Sequence, residues 1–494
     1  MKSKFQKPPK EVSERMKKVR GKDTGIEKAM EKILRSLGIE YEKQPHLSNL
    51  AGRPDFRIRG TKVLIFCDSS FWHGRRKEEV TGEAFRRNKD FWTHKLNENR
   101  KRDRRINRSL KKEGWSVYRF WDTDILKSPK KVMRALEQVL IENKLVGFSA
   151  VDLFCGVGAV THGLIKAGMP VNAGIDNDGS CKYAYEKNNR TKFVEKDIRG
   201  LSGAFVKKLY PDKHIRILVG CAPCQPFSKH TLKNKNRNED EKWGLLYSFS
   251  DIIRKVKPHV ISMENVPEIT NQKVFSDFVE NLKSSGYHIF WKIVYCPDYG
   301  IPQSRKRLVL LASRLGEIKL LPGTHEPSRY RTVRQTIGKL EPIGDGEIFE
   351  KDPLHRTSKL SPLNKRRIKQ SRPGGTWREW EEDLRSPCHR KKSGRSYGGV
   401  YARMEWDKLA PTITTQFYGF GTGRFGHPEQ DRALSLREGA LLQTFPKYYD
   451  FIDPKEEVSL KKTGIHIGNA VPVKLGAIIG KSIINHIRSL KNDE

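Results

Sequence analysis

Apolar and polar positions along this 494-residue chain fall into two rhythms separated from each other and followed by an irregular stretch. Near the start, T-G-I-E-K-A-M-E-K-I-L-R-S-L-G sets Ile26, Met30, Ile33, Leu34 and Leu37 on one face at helical spacing. Thr24 is placed to cap that helix and Gly38 to stop it. Three short runs then predict strands: P-D-F-R-I-R, K-V-L-I-F-C-D and W-S-V-Y-R-F-W. A long basic amphipathic stretch, about 83–113, separates the last two, and 129–143 predicts a closing helix. The result is a self-contained α/β unit over residues 1–145.

A second rhythm begins near Phe148, where apolar strands alternate with helices. A-V-D-L-F precedes a helix at 159–168, V-N-A-G-I-D one at 179–188, I-R-I-L-V-G one at 243–256, and H-V-I-S-M-E one at 274–284. R-L-V-L-L-A closes the series. Such alternation predicts a doubly wound, mostly parallel, Rossmann-like sheet. Ligands bind such sheets at the carboxyl ends of the strands, where Asp152, Asp176, Cys224 and Glu264 fall. The rhythm fails from about 319 to 430, a Gly- and Pro-rich basic stretch interleaved with Trp377, Trp380, Tyr397 and Tyr401. A structureless loop of that length is improbable, so it is expected to be a small separate domain. Helical patterning returns near 435, so residues 431–494 should complete the domain begun at 146–318.

Composition adds a partner. The formal charge is +38, from 96 Lys+Arg against 58 Asp+Glu. A surplus of this size repels itself unless a polyanion neutralises it, which points to nucleic acid. Seven scattered cysteines argue against a disulfide framework and for a reducing cytoplasm. No apolar run approaches the about 20 residues that span a bilayer, so no membrane partner is expected.

The densest chemistry is G-C-A-P-C-Q-P-F-S at 220–228, with E-N-V at 264–266. Cys224 stands between Pro223 and Pro226 on a stiff loop, followed by Gln225. A thiolate is an intrinsically strong nucleophile when neighbouring charge lowers its pKa. C-x-x-C also occurs in redox pairs and zinc knuckles, but no second C-x-x-C or H-x-x-H lies nearby. Glu264 reads either as a reacting carboxyl or as a satisfied buried one. Upstream, S-A-V-D-L-F-C-G-V-G runs a strand into a turn where Gly156 and Gly158 admit close ligand approach. Asp176 ends the next strand, placed to accept ribose hydroxyls, and Asp197 follows one strand later, placed to hold an adenine amino group.

These residues resemble the DNA (cytosine-5)-methyltransferases. The likeness is an ordered series covering about 149–490: D-L-F-C-G-V-G, G-C-A-P-C-Q-P-F-S, M-E-N-V, Q-S-R-K-R, R-E-G-A-L-L-Q-T-F-P and G-N-A-V-P. It implies S-adenosylmethionine as donor and cytosine in duplex DNA as acceptor. It further implies Cys224 as the nucleophile on carbon 6, Glu264 at ring nitrogen 3, and Arg305 and Arg307 near the base oxygen. Phe154, Gly156, Gly158, Asp176, Asp197, Pro223, Leu246 and Asn469 match cofactor-contacting positions, and Gln225 a DNA-contacting one. Asn177 departs from the family, many of whose members place an adenine-stacking aromatic there. The stretch 319–430 occupies the family's target-recognition region.

G-R-P-D-F and L-I-F-C-D in the front unit place Asp55 and Asp68 on two strand-like segments, where they could converge on a hard cation such as magnesium. Such an ion activates water and polarises a phosphoryl group. Glu27 could support the pair, and His73 of F-W-H-G is a candidate base, or simply a histidine in a turn. Together these residues resemble the very-short-patch repair (Vsr) mismatch endonucleases of the PD-(D/E)XK nuclease superfamily. The resemblance rests on I-E-K, A-G-R-P-D-F, I-F-C-D-S-S-F-W-H-G, D-F-W, K-R-D-R-R and E-G-W-S-V. It implies Asp55 as the metal-binding acid, His73 as the base, Asp103 as a supporting carboxylate, and Phe71, Trp72 and Trp92 as wedges between base pairs. Relatives often hold a structural zinc where this chain has Ser70, Lys77 and Thr123, so no zinc is expected. Asp68 stands where some relatives have histidine.

The pairing has a chemical rationale, since deamination of 5-methylcytosine leaves a T·G mismatch. The expectation is therefore a bifunctional enzyme that methylates cytosine and nicks at T·G. It should be a monomer in the cytoplasm of a bacterium or archaeon, associated with the nucleoid, with mismatch-repair proteins as further partners. The alternative is a single-chain restriction–modification enzyme whose nuclease cuts unmethylated sites.

Overall fold

The computed structural model describes residues 24–37, 39–46, 52–73, 88–142, 147–212, 214–223, 239–391 and 398–489. Two compact units divide the chain, Met1–Val146 and Gly147–Glu494.

Helix α1 (Gly25–Ser36) opens the first unit, with the Thr24 hydroxyl accepting from the Glu27 amide at 3.3 Å. Capping of this kind satisfies an amide the helix itself cannot. Strands β1 (Tyr41–Lys43), β2 (Phe56–Ile58), β3 (Val63–Asp68) and β4 (Ser116–Trp121) form a sheet in that order. The first three run antiparallel, and β4 lies parallel to β3. The basic amphipathic stretch is helix α2 (Lys89–Lys112); α3 (Asp122–Lys127) and α4 (Pro129–Glu142) complete the unit. Alternate residues of β3 face opposite ways. Val63 and Ile65 join Met30, Leu34, Val132 and Leu136 on one side, while Leu64 and Phe66 meet Leu110 of α2 on the other. Burial on both faces explains the uninterrupted V-L-I-F run.

The second unit is built on a seven-stranded sheet: β5 (Phe148–Leu153), β6 (Val171–Asp176), β7 (Lys192–Glu195), β8 (Ile215–Gly220), β9 (Val260–Asn265), β10 (His288–Tyr295) and β11 (Lys306–Ser313). Its order is β10-β11-β9-β8-β5-β6-β7. Four pairings are parallel and the two involving β11 are antiparallel. Periodicity had not revealed β10, an edge strand whose Trp291 and Ile293 stay exposed. Helices α5 (Ala159–Lys166), α6 (Lys182–Asn189), α7 (Gly203–Lys208), α8 (Glu239–Val256) and α9 (Lys273–Ser284) follow their strands. Strand order reverses between β5 and β8, so the loops after these two strands open onto one crevice.

Residues 319–430 pack differently from the expected separate domain. Leu360, Ile368, Trp377, Trp380 and Leu384 make a small core of their own. Val333, Leu354, Met404, Ile413 and Phe417, however, share a core with Cys155, Tyr185 and Phe193. Helices α10 (Val333–Ile337), α11 (Pro362–Gln370) and α12 (Pro387–Arg390) lie here, before α13 (Leu436–Leu442), α14 (Leu460–Asn469) and α15 (Val473–Ser489). Leu460–Ser489 is the one described stretch long and apolar enough to cross a membrane by length and composition, which the sequence reading did not single out. It is interrupted between α14 and α15 and mostly buried in this unit. Gly163 of α5 makes the close contact with α15 possible: a Cβ there would lie 2.4 Å from the Val473 carbonyl.

One buried ion pair holds α13. Glu438 closes a capping box with Ser435 and accepts from Arg432 at 2.7 and 2.9 Å, both side chains almost fully buried. Burial pushes the Glu438 carboxyl up, but the Arg432 charge and hydrogen bonds outweigh it and hold it at about 2. A depressed folded pKa gives stability that is present above the unfolded value and lost as pH falls through the folded one. Arg432→Met leaves the carboxylate buried without its counter-charge. It should cost about 3–5 kcal/mol at pH 7, read by urea unfolding, with the deficit shrinking as pH falls from 4 toward 2. A variant as stable as the parent at pH 7 would remove this pair from the fold's supports.

Candidate active sites

The turn after β5 is built from left-handed backbone: Phe154 has φ +59°, Gly156 +48° and Gly158 +88°. A Cβ at Gly158 would lie 2.4 Å from Asn189 Nδ2, so this position takes glycine on both counts. Asp176, at the end of β6, binds the turn to its neighbour. Its Oδ2 accepts from the Gly156 amide at 2.8 Å and its Oδ1 from the Asp178 amide at 3.0 Å. Each carboxylate oxygen keeps lone-pair capacity for a further donor. Beneath it, Asp152 is fully buried; burial pushes its carboxyl to about 7, only partly opposed by the Thr161 hydroxyl at 2.7 Å.

The other cofactor candidates are placed unequally. Asp197 is exposed just beyond β7, and Arg199 clasps its carboxylate, Nη2 donating at 2.7 Å. Asn469 is exposed at the end of α14. Leu246, on α8, is buried in the core that contains Leu218, Phe249 and Met263. Pro223 is exposed at the end of a described segment; Cys224 and Gln225 lie outside the described residues.

Glu264 ends β9 and is buried. Val309 of β11 pairs with it across the sheet, so Arg307, two residues away on β11, shares its face. Arg307 Nε sits 2.9 Å from Glu264 Oε1. The contact is an ion pair without hydrogen-bond alignment, and Oε1 has no hydrogen-bond partner among the described residues. Burial raises the Glu264 carboxyl above the usual range, against the pull of Arg307 and Arg305. Arg305 is buried too, its Nη1 donating to the Ile413 carbonyl at 3.1 Å. Its Nε has no partner among the described residues, and burial lowers its pKa to about 9.

Three positioning residues escaped the sequence reading. Asn265 Nδ2 donates to the Ala222 carbonyl at 3.2 Å, pinning the start of the C-A-P-C loop to β9. Gln303 donates to the Leu442 carbonyl and to Gln443 Oε1, at 3.0 and 2.9 Å. Gln443 in turn donates to the Ile467 and Ala470 carbonyls. These amides tie Q-S-R-K-R, L-L-Q-T-F-P and G-N-A-V-P together. Their membership of those motifs was the only signal.

In the front unit, Asp55 precedes β2 and its Oδ2 accepts from the Cys67 amide at 2.6 Å. Burial pushes its carboxyl up to about 6, opposed by that hydrogen bond and reinforced by the charges of Glu27 and Asp68. Asp68 is buried, and Arg119 Nη1 reaches both its oxygens at 2.7 and 2.8 Å. The sequence reading had not assigned Arg119. His73 Nδ1 lies 2.6 Å from Asp103 Oδ2, with Nε2 3.9 Å from Asp68 Oδ1. Burial pushes Asp103 up, but His73 and Arg119 hold it below its ordinary value. Phe71, Trp72 and Trp92 form one aromatic cluster with centroids 5.0–5.9 Å apart, and Lys95 lies 5.4 Å from the Trp72 ring. Ser70 hydrogen-bonds to Asp122 and lies 3.4 Å from the Thr123 hydroxyl. Hydroxyls are not among the ordinary zinc ligands. Lys77 lies outside the described residues.

Comparison with known proteins places each half. A family profile described as C-5 cytosine-specific DNA methylase matches residues 148–485, and one described as DNA mismatch endonuclease Vsr matches residues 5–79. The Type II methylase M.HgiDII of Herpetosiphon aurantiacus is 55% identical over 345 residues, 69% of this chain and 96% of that protein. The Type II methyltransferase M1.BsuMI of Bacillus subtilis is 32% identical over 352 residues, 66% of this chain and 78% of that protein. A solved structure from E. coli, described as a DNA modification methyltransferase encoded within a prophage, shares the fold with TM-score 0.53 at 20% identity. That match covers 69% of this chain and 99% of the other.

Asp55 yields a test that needs no DNA. A carboxyl near 6 when folded and about 3.9 when unfolded contributes stability that is complete below about pH 4 and lost as pH rises through 6. In EDTA at pH 8, Asp55→Asn should therefore slow hydrogen exchange at β2 and β3 relative to the parent, and flatten its pH dependence. Faster exchange in the variant would mean that the buried charge is not strained.

Proposed function

The chain belongs to the C-5 cytosine-specific DNA methylases and carries a Vsr-type segment ahead of that domain, and we propose that it both methylates cytosine in duplex DNA and nicks the T·G mismatches which deaminated methylcytosine leaves. Methyl transfer to carbon 5 of cytosine follows from the family. The residue roles and the nicking are our reading. The observation that carries the first is Glu264, a buried carboxyl raised toward its neutral form beside two arginines, on the strand whose Asn265 pins the loop leading to Cys224.

The target base must leave the stack to be reached. Cys224, as thiolate, adds to carbon 6. Neutral Glu264 gives its proton to ring nitrogen 3, so that no anion builds up on the base and the adduct is a neutral enamine, nucleophilic at carbon 5. Arg305 and Arg307 stabilise the base oxygen. S-adenosylmethionine, when bound, supplies an electrophilic methyl group. Gly156 and Gly158 allow its close approach, Asp176 offers its remaining lone pairs to the ribose, and Phe154, Pro223, Leu246 and Asn469 line the remainder. Asp197 can take the adenine amino group only by giving up Arg199. Once carbon 5 carries the methyl group, its proton passes to a water base and the C5–H electron pair forms the C5=C6 double bond. The C6–S bond breaks with its electrons leaving on the Cys224 thiolate, and nitrogen 3 returns its proton to Glu264. Gln225 and the basic stretch 319–430 contact the DNA.

For the front unit, the supporting observation is Asp55. Its carboxyl is buried near Glu27 and Asp68 with one recorded amide donor, an arrangement that a divalent cation would relieve. Asp55 would hold magnesium, joined by Asp68 once that carboxylate gives up Arg119, which reaches both its oxygens. The ion, when bound, would polarise the phosphate and activate water. Asp103 fixes His73 through Nδ1 and leaves Nε2 free to take or give the proton. Phe71, Trp72 and Trp92 wedge beside the mismatch, where unstacking costs least.

Cys224→Ser should abolish transfer of labelled methyl and the SDS-resistant adduct with 5-fluorocytosine DNA. Glu264→Gln should lower kcat by about 10²–10⁴-fold. Asp55→Ala should abolish nicking of T·G duplex with magnesium and leave methylation intact. Cleavage confined to unmethylated homoduplex would replace repair by restriction. A Cys224→Ser protein that still forms the adduct would overturn the methylation chemistry.

A further inference from the structure

Asp178, Cys181 and His466, none of them given a role above, meet just beyond Asp176, whose Oδ1 accepts from the Asp178 amide. Their ligand atoms all lie within 4.8 Å of one another. Asp178 Oδ2 is 3.8 Å from Cys181 Sγ and 3.4 Å from His466 Nε2. A tetrahedral zinc with bonds of about 2.0–2.3 Å spaces its ligand atoms about 3.3–3.8 Å apart. These two separations fall within that range, and the third, between the Cys181 and His466 ligand atoms, lies within 4.8 Å. Cys181 and His466 are buried, while Asp178 is half exposed. The Ser180 hydroxyl and amide both donate to Asp178 Oδ1, which leaves Oδ2 turned toward the thiol and the imidazole.

His466 alone of the three lines a neighbouring cleft of about 340 Å³, together with Ser180. Four carboxylates, Glu186, Asp453, Glu456 and Glu457, outnumber Lys182 and Lys462 on that cleft, and Lys462 pairs with Glu456, so the balance of charge there favours a cation. A thiol, an imidazole and a carboxylate together suit zinc or cobalt and not magnesium.

We propose that Asp178, Cys181 and His466 form a binding site for a thiophilic divalent cation, zinc by chemistry, with its fourth position left to water. Binding forms S–metal, N–metal and O–metal bonds, and the Cys181 thiol proton passes to solvent. His466 coordinates through Nε2 and gives up its contact with the Ser180 hydroxyl, now 3.1 Å. The ion clips the turn after β6 to α14. Asp178 is two residues from Asp176 and His466 three from Asn469, so the clip also sets the spacing of two proposed cofactor contacts. The site itself does not depend on that assignment.

The test uses the untagged full-length protein, stripped with chelator and titrated with Co²⁺. One equivalent per chain should bind with thiolate-to-cobalt charge-transfer absorption, and Zn²⁺ should displace it. Cys181→Ser should lose the charge-transfer band, and Asp178→Asn, altered at a half-exposed side chain, should weaken binding by more than about tenfold. Cys388→Ser, at an exposed thiol elsewhere, should bind as the parent does. No stoichiometric cobalt binding by the parent overturns the proposal, as does a band that survives in both Cys181→Ser and Asp178→Asn. If Cys181→Ser does not fold, Asp178→Asn decides alone.

Discussion

The reversal of strand order between β5 and β8 is the constraint on which the larger unit depends. Crossovers leave these two adjacent strands in opposite directions, so no helix covers the ground beyond their ends. The left-handed turn at 154–158 and the C-A-P-C loop both open there. Everything else supports that crevice. Asp176 fastens the first turn through the Gly156 amide, and Asn265 fastens the second loop through the Ala222 carbonyl. Gln303 and Gln443 then bring three distant segments to its edge.

Both candidate sites use burial to hold a carboxyl away from its solution behaviour, and the neighbours decide what it can do. Glu438 meets Arg432 in two aligned hydrogen bonds and is driven down to about 2, which makes it a fastening. Glu264 meets Arg307 at a similar distance but without alignment, and burial wins. Its carboxyl is raised toward the neutral form. Asp55 lies beside two other acids and rises to about 6. Burial acts on all three carboxyls alike, and the charges and hydrogen bonds beside each one decide which way it shifts.

Those geometries mark the limit of what the sequence discloses. Alternation of apolar runs located β5, β6, β8, β9 and β11 and helices α5, α6, α8 and α9, though not the short α7, because burial on both faces enforces long apolar strands. It missed β10, whose outer residues face water and break the pattern. The ordered motifs named Glu264, Arg305 and Arg307, and strand register then explains why Arg307 and Glu264 meet. No motif announced Arg119, which comes from β4, some fifty residues beyond its partner Asp68, nor Arg199, which occupies the carboxylate meant for adenine. A separate domain was inferred for 319–430 from the loss of periodicity. Periodicity fails there because the segment contributes single apolar anchors to a core owned by other elements.

The two chemistries need no channel between them. Deamination of a methylated cytosine is slow and unenzymatic, so a mismatch arises long after the methylating chain has left the site. Handing a substrate from one unit to the other would therefore gain nothing. If the front unit nicks as proposed, what a single chain secures is stoichiometry: each molecule able to create the vulnerable base would bring a nuclease for its decay product. It also secures a shared electrostatic pull, since the basic surplus that draws the methylating unit to DNA concentrates the nuclease on the same polymer. On this view the nuclease need not read the methylation site with the same side chains. It needs only a mismatch that unstacks more easily than its surroundings, and the cluster of Phe71, Trp72 and Trp92 is suited to detect that difference.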